Sequence, residues 1–274
     1  MFVLILSMLL TTQESWAQSS KNRRDIDTSY VYSVVLGSGI YSSRNDKIVV
    51  VNLPFEVLLT EPSETEPYWR YETVAQVGYQ SIGTDDVSQW IPRSLATLSV
   101  FPTLEYIYPL TPDTRLRPLV QVGGGYDSDE NNWIRYRSAG IELESDWEFG
   151  EGWQIAASQE FVYAHERSTG ESPNTSSVTM FQAGFDFRRG FEVDVFGKRL
   201  HASVYTIWQH FFDDIGLGRE YINGINVKDL YQIGITLGVG RPFDVFGYEI
   251  DRVYLGVTRG DGVKAVNFGV DLPF

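Results

Sequence analysis

The chain has 274 residues, of which 43% are hydrophobic and 14% aromatic, with 25 glycines, 11 prolines and no cysteine. Glycine and proline are the poorest helix formers, which disfavours a helical bundle, and the absence of cysteine excludes disulfide bonds and a cysteine-ligated zinc site. The formal charge of −14 leaves no excess of cations to neutralise phosphates, which argues against nucleic acid as a partner.

The first predicted element is a secretory signal peptide at residues 1–17. Residues 1–10 read MFVLILSMLL, an apolar stretch shorter than the roughly 20 residues of a membrane-spanning helix. Ser15 and Ala17 place small residues where a signal peptidase cuts, and we therefore expect cleavage after Ala17. A buried N-terminal strand is the alternative. An exported chain without cysteine fits a Gram-negative envelope, with a short periplasmic segment at residues 18–29.

The remainder, residues 30–274, consists of segments that alternate with a period of two. Between residues 231 and 240, large apolar side chains such as Ile233 and Ile235 share one face, whereas Gly234 and Thr236 share the other. Large groups facing lipid and small or polar groups facing inward are typical of outer-membrane barrels. The pattern therefore predicts an all-β fold, a transmembrane antiparallel up-and-down β-barrel of about twelve strands. The predicted strands are 30–41, 48–59, 68–81, 95–108, 114–127, 133–148, 152–164, 177–188, 199–211, 229–240, 248–259 and 263–274.

The predicted connections alternate in length along the chain. Those after strands 2, 4, 6 and 10 are short, whereas those after strands 3, 7 and 9 are long and polar. Bacterial barrels have short periplasmic turns and longer extracellular loops. An even number of strands with this alternation places both termini in the periplasm and the protein in the outer membrane, where lipid and lipopolysaccharide are its expected partners.

Aromatic side chains recur at the predicted periplasmic ends of the strands, all in the outward register. Both interfaces of a membrane barrel carry such girdles of amphipathic rings. The six residues that we assign to the periplasmic girdle are Trp69, Tyr71, Tyr106, Tyr108, Trp147 and Trp153.

The last predicted strand places apolar residues at every second position, counted back from the C-terminal residue. This resembles the C-terminal signal by which outer-membrane barrels are presented to their insertion machinery. The resemblance implies transient partners, the barrel-insertion machinery and periplasmic chaperones. The predicted signal residues are Phe274, Leu272, Val270, Phe268 and Val266.

A more specific resemblance lies in the last third of the chain. Residues 240–255 (GRPFDVFGYEIDRVYL), followed by a final strand that ends Leu-Pro-Phe, resemble the barrel of the solitary autotransporter-like β-domain proteins. Residues 191–197 (FEVDVFG) suggest a second copy of the same periplasmic turn. The resemblance implies a translocator barrel without a passenger, because residues 18–29 are too few for a passenger or for a helix through the pore.

Charged residues fall mainly on the inward face, where carboxylates outnumber basic groups. The turn between strands 5 and 6 fixes their register, so we expect Arg117 opposite Glu142 and Arg115 opposite Glu144, with Asp146 extending the ladder of ion pairs. Two functions follow: a structural barrel whose charges plug the lumen, which we favour, or a gated, cation-preferring diffusion channel.

Three other possibilities have weaker support. His201-Ala-Ser203 repeats the His-x-Ser pattern of the outer-membrane phospholipase, but both side chains face the lumen in this register, so we predict no catalytic site. Asp127, Asp129 and Glu130 could hold a divalent ion, although acidic hairpins are usually only solvated. A soluble exported β-sandwich that binds carbohydrate or protein remains an alternative. We expect a monomer without metal or cofactor.

Overall fold

The computed structural model describes residues 37–43, 46–82, 97–127, 131–150, 152–169, 175–195, 198–216, 226–245, 248–270 and 274. The predicted signal peptide and periplasmic segment lie outside these residues. Within the described part of the chain there is no helix long and apolar enough to cross a membrane. The strands are β1 (Gly39–Ser43), β2 (Asp46–Leu58), β3 (Tyr68–Ile82), β4 (Thr97–Thr111), β5 (Thr114–Asp127), β6 (Asn132–Phe149), β7 (Trp153–Ser168), β8 (Thr175–Val195), β9 (Lys198–Gly216), β10 (Asn226–Val245), β11 (Tyr248–Gly260) and β12 (Val263–Val270).

These strands form one closed, antiparallel barrel in which each strand pairs with its neighbours in the sequence. β1 closes the ring by pairing with β12, for example through Tyr41 opposite Ala265. The predicted up-and-down barrel of twelve strands is therefore confirmed. Because a single sheet closes on itself, the predicted alternative of a two-sheet sandwich is wrong.

The two faces of the wall differ as the period of two predicts. On β10, the outward side chains of Ile233, Ile235 and Leu237 are 53%, 58% and 52% exposed, whereas the inward Thr236 is buried. The same alternation runs along β4, where Leu98 is exposed and polar inward residues are buried. In water such an outer surface would be unfavourable; in a bilayer it meets lipid chains.

The two ends of the barrel also differ. At the end where β1 begins and β12 ends, two-residue links join β4 to β5, β8 to β9 and β10 to β11. Gly150 and Gly152 flank the β6–β7 turn there with φ of 58° and 76°, a conformation that glycine adopts without strain. At the opposite end, β1–β2 and β11–β12 are also joined by two residues each, but fourteen residues outside the described ranges separate β3 from β4, in agreement with longer extracellular loops.

The repeated turn segment occupies equivalent places in two hairpins. Residues 190–197 (GFEVDVFG) end β8, and residues 240–247 (GRPFDVFG) end β10. In both, the ladder shifts register before the turn, between Gly190 and Asp194 in β8 and between Gly238 and Phe243 in β10. A proline at position 242 has no N–H for the ladder, which favours a bulge at this point in β10.

Candidate functional site

The hairpin of β5 and β6 carries the predicted charged residues on its inner face. Arg115 lies opposite Glu144, and Arg117 lies opposite Glu142. Arg117 forms ion pairs with both glutamates, through a short contact to Glu142 and an N–O distance of 3.1 Å to Glu144. Arg115 instead pairs diagonally with Asp146, at 3.5 Å. The five predicted residues thus form two adjacent sets of ion pairs on one hairpin.

The charged layer continues onto the neighbouring strands. On the β7 side, the Ser158 hydroxyl donates a hydrogen bond of 2.7 Å to Glu142. On the other side, the Arg70 guanidinium pairs with Glu105 of β4 at 2.5 Å and with Glu56 of β2 at 3.4 Å. Glu105 is buried. Ion pairs therefore cover the inner wall from β2 to β6, and the buried Glu105 and Glu142 each have a cationic or hydroxyl partner, as burial of charge requires.

A second group of ion pairs crosses the interior between strands that are not neighbours. The side chain of Asp186 on β8 is completely buried and lies 3.6 Å from Arg188 of the same strand and 3.6 Å from Arg252 of β11. Arg252 also binds Asp251 at 3.0 Å. Because β9 and β10 lie between β8 and β11, the Asp186–Arg252 pair is a contact across the lumen.

The outer part of the lumen is filled by apolar side chains. Phe101 of β4 and Leu230 of β10 belong to one buried cluster, although their strands lie on opposite sides of the ring. Phe101 and Tyr136 pack edge to face with ring centroids 5.2 Å apart. The cluster consists of Phe101, Tyr136, Val162, Ala164, Val178, Met180, Phe211, Val227, Leu230 and Val263. We call it the apolar layer.

Small inward residues make room for large ones on the next strand. Tyr205 of β9 is fully buried and covers Gly234 of β10, where an added Cβ would lie 2.5 Å from the ring. Its hydroxyl reaches Gly256 of β11 and accepts a hydrogen bond of 2.8 Å from Gln232. The interior is therefore packed like a protein core.

The C-terminal residue lies on the opposite face of the wall from its predicted one. Val266 faces outward and is 45% exposed. The ring of Phe274 lies inside the barrel instead, where a Cβ on Gly184 would be 2.6 Å from its Cγ. β12 ends at Val270, and a proline at position 273 lacks the N–H needed to continue the ladder. The predicted outward row ends before Phe274, Leu272 lies outside the described residues, and the role as an insertion signal remains a prediction.

The predicted periplasmic girdle is found on the outer face at the end with the short turns. Trp69 packs on Tyr106 with ring centroids 4.8 Å apart, and Trp153 packs on Phe187 at the same distance. The guanidinium carbon of Arg189 lies 4.7 Å from the Trp153 ring centre. Tyr71, Tyr108 and Trp147 are exposed on the same face.

The other candidate residues do not assemble into a reactive site. His201 and Ser203 face inward, and the Ser203 hydroxyl hydrogen-bonds Thr236 at 2.6 Å. Asp127 is buried at the end of β5, while the other two acidic residues of that hairpin lie outside the described ranges. In the part of the chain that the structure describes, no cluster of three or more histidine or acidic residues could hold a metal ion.

Two features were missed by sequence reasoning. Alternation places Asp186 and Arg252 on the inner face, but it contains no signal that residues three strands apart will meet. The apolar layer was missed because Phe101, Phe211 and Leu230 occupy inward positions, where the barrel pattern leads one to expect small or polar groups. The only sequence signal for the apolar layer was the presence of large apolar residues at inward positions.

No model of a known protein family and no curated protein matches this sequence. Among solved structures, the crystal structure of the β domain of the Bordetella autotransporter BrkA is similar, with a TM-score of 0.56 and 12% identity over 86% of this chain and 96% of that chain. A mutant of the TodX monoaromatic hydrocarbon channel also matches, with a TM-score of 0.40 and 11% identity over 82% of this chain and 69% of that chain. The fold is therefore that of an autotransporter β domain.

Proposed function

We propose that this chain is an integral outer-membrane barrel with a closed lumen and a structural role in the cell envelope. The apolar outer face, the aromatic girdle and the likeness of its fold to an autotransporter β domain support the location. Residues 1–17 would direct export and be removed after Ala17. In this proposal the protein acts as a monomer.

One observation supports the proposal of a closed lumen: side chains from opposite walls meet inside the barrel. Phe101 and Leu230 come from opposite strands and are 5% and 1% exposed. Residues that line a water-filled channel would be solvated. Below this apolar layer, the ion pairs of Arg117 and Arg252 occupy the interior. Opening a path for solutes would require separating these contacts.

Electrical recordings of the purified protein in planar bilayers test this proposal. We expect no steady conductance in potassium chloride from the unmodified protein. The triple variant Phe101→Ala, Phe211→Ala, Leu230→Ala thins the apolar layer, so it should conduct. A matched control is Phe212→Ala, which removes an outward ring next to Phe211 and should leave the lumen closed.

The second candidate is a gated channel that prefers cations, and the excess of carboxylates favours it. Glu72 and Glu160 place two further carboxyl groups next to the network around Arg117. Steady openings of the unmodified protein, with a reversal potential that shows cation preference in a salt gradient, would contradict the closed lumen and support this candidate. Openings with anion preference would contradict both.

We propose no hydrolytic role for His201 and Ser203. Attack on a bilayer lipid needs a nucleophile at the outer surface with a base beside it. The Ser203 hydroxyl instead lies inside the barrel and pairs with the Thr236 hydroxyl. Polar pairs of this kind satisfy buried groups of the inner wall.

A further inference from the structure

We propose that the outer ends of β6 and β7 bind the phosphate groups of lipopolysaccharide in the outer leaflet. The site, which we call the outer cationic patch, consists of Arg135, Arg137, His165 and Arg167. This inference rests on the outer-membrane location proposed above, but it does not depend on whether the lumen is closed.

The outer cationic patch is formed by the pairing of two strands. Arg135 lies opposite Arg167, and Arg137 lies opposite His165. All four positions share the outward register of Ile141 and Tyr163, and the three arginines are exposed. Four basic side chains therefore lie together on the face that meets lipid.

The depth of the patch matches the outer interface of a bilayer. On β7, the outward row runs from Trp153 in the periplasmic girdle to Tyr163, which is 47% exposed. Ten residues of a strand tilted by about 40° span about 25 Å, the height of the apolar band of an outer-membrane barrel. His165 and Arg167 follow directly. They are thus placed at the level of lipid headgroups.

On the outer face of the described strands around the patch, no acidic side chain balances its charge. Like charges directly opposite each other destabilise a sheet, yet Arg135 faces Arg167. Among the described residues, none of the outward positions of β5 to β7, or of β8 between Thr175 and Arg189, is aspartate or glutamate. In the part of the chain that the structure describes, no ion pair involves Arg135, Arg137 or Arg167. An external anion would relieve the repulsion between these arginines.

The chemistry of the patch favours a lipid with more than one phosphate. Guanidinium groups bind phosphate through two parallel hydrogen bonds, and arginine is preferred for this task. Three arginines carry three positive charges, whereas the phosphodiester of a glycerophospholipid carries a single negative charge. The rings of Tyr126 and Trp133, 5.1 Å apart, border the patch on its outer side and offer a surface for a sugar headgroup. Lipid A, with its phosphorylated sugars, meets both requirements.

Native mass spectrometry of the folded barrel in detergent tests the site, with purified bis-phosphorylated lipid A as the probe. The variant Arg135→Gln, Arg137→Gln should weaken binding about tenfold or more, since charge-assisted hydrogen bonds are lost. The matched control is Arg189→Gln, Arg199→Gln, which removes the same charge from exposed positions at the opposite, periplasmic end of the barrel. It should change binding less than about twofold. Dephosphorylated lipid A should bind poorly, and inorganic phosphate should compete weakly.

Three results would overturn the inference. The first is an equal loss of lipid A binding in both double variants. The second is binding of phosphatidylglycerol as tight as that of lipid A. The third is unchanged lipid A binding in the Arg135→Gln, Arg137→Gln variant. If the double variant does not fold, Arg167→Gln on β7 serves in its place. If the proposed membrane location is wrong, the unmodified protein will be recovered from the aqueous fraction. If the protein is a folded membrane barrel but does not bind lipid A, only the proposal of the outer cationic patch is refuted.

Discussion

At the scale of single residues, Tyr205 shows how the interior depends on glycine. Its ring lies over Gly234 and its hydroxyl reaches Gly256, so one side chain covers two neighbouring strands. A hydrogen bond from Gln232 fixes the hydroxyl. A side chain at either glycine would have to displace this buried ring.

We predict that Gly256→Val destabilises the barrel by about 1 to 3 kcal/mol, because the added carbons collide with the Tyr205 hydroxyl. Urea unfolding in lipid vesicles, followed by tryptophan fluorescence, measures the change. In a Tyr205→Ala background the same substitution should cost much less. An equal cost in both backgrounds would show that the glycine serves the backbone and not the ring.

Individual contacts were only partly predictable from the sequence. Parity and the position of the turn are enough to place Arg117 opposite Glu142, because register in a hairpin follows from both. They do not reveal that Arg115 reaches diagonally to Asp146, since a long side chain can choose among several carboxylates. The inward ring of Phe274 breaks the alternation at a point where the ladder has already ended.

At the scale of one element, β6 separates two environments along its length. Its inward residues include Glu142 and Glu144, while the outward Ile141 is 45% exposed and faces lipid. A charged group is stable on the first face only. β6 is therefore stable only when its inward face borders the lumen and its outward face borders lipid.

We expect Ile141→Glu to reduce the stability of the folded barrel by on the order of 2 kcal/mol, because it places a charge in the lipid band. The matched control Gln121→Glu puts the same group on the inner face of the adjoining strand, where Gln121 contacts Thr103 and Ser138. Urea midpoints in vesicles compare the two. A larger loss in the control than in Ile141→Glu would contradict the assignment of faces.

Strand boundaries were predictable where alternation is strict and less so elsewhere. β5 spans Thr114–Asp127, the same limits that the sequence predicts. β8 and β10 extend to Val195 and Val245, beyond their predicted ends at 188 and 240. The extra residues span the register shift in each strand. A bulge inserts residues that break the period of two, so pattern reasoning ends the strand too early.

At the scale of the whole molecule, closure of the sheet is the dominant feature. Every described strand of the ring has hydrogen-bonded neighbours on both sides, so the sheet closes on itself. The low mean hydropathy of −0.18 arises because only every second strand residue meets lipid. Mean hydropathy therefore does not distinguish this chain from a soluble protein, whereas the alternation of apolar residues along the strands does.

A closed barrel of this kind should resist detergent until it is heated. We predict that the protein extracted from membranes migrates faster in SDS gels before boiling than after boiling, because the compact ring persists. Its native mass in detergent should correspond to one chain. Recovery in the aqueous periplasmic fraction, or identical migration before and after boiling, would contradict the membrane barrel.

The charged interior also has a consequence for assembly. In a sheet with a side-chain period of two, a slip of one residue between neighbouring strands reverses the faces of the shifted strand. For β5, such a slip would expose Arg115 and Arg117 to lipid at the level of the aromatic girdle, at a cost of up to about 1 kcal/mol each. The inner ion pairs would be lost at the same time. The lumenal charges thus favour the correct strand register, because mispaired intermediates are less stable before the ring closes.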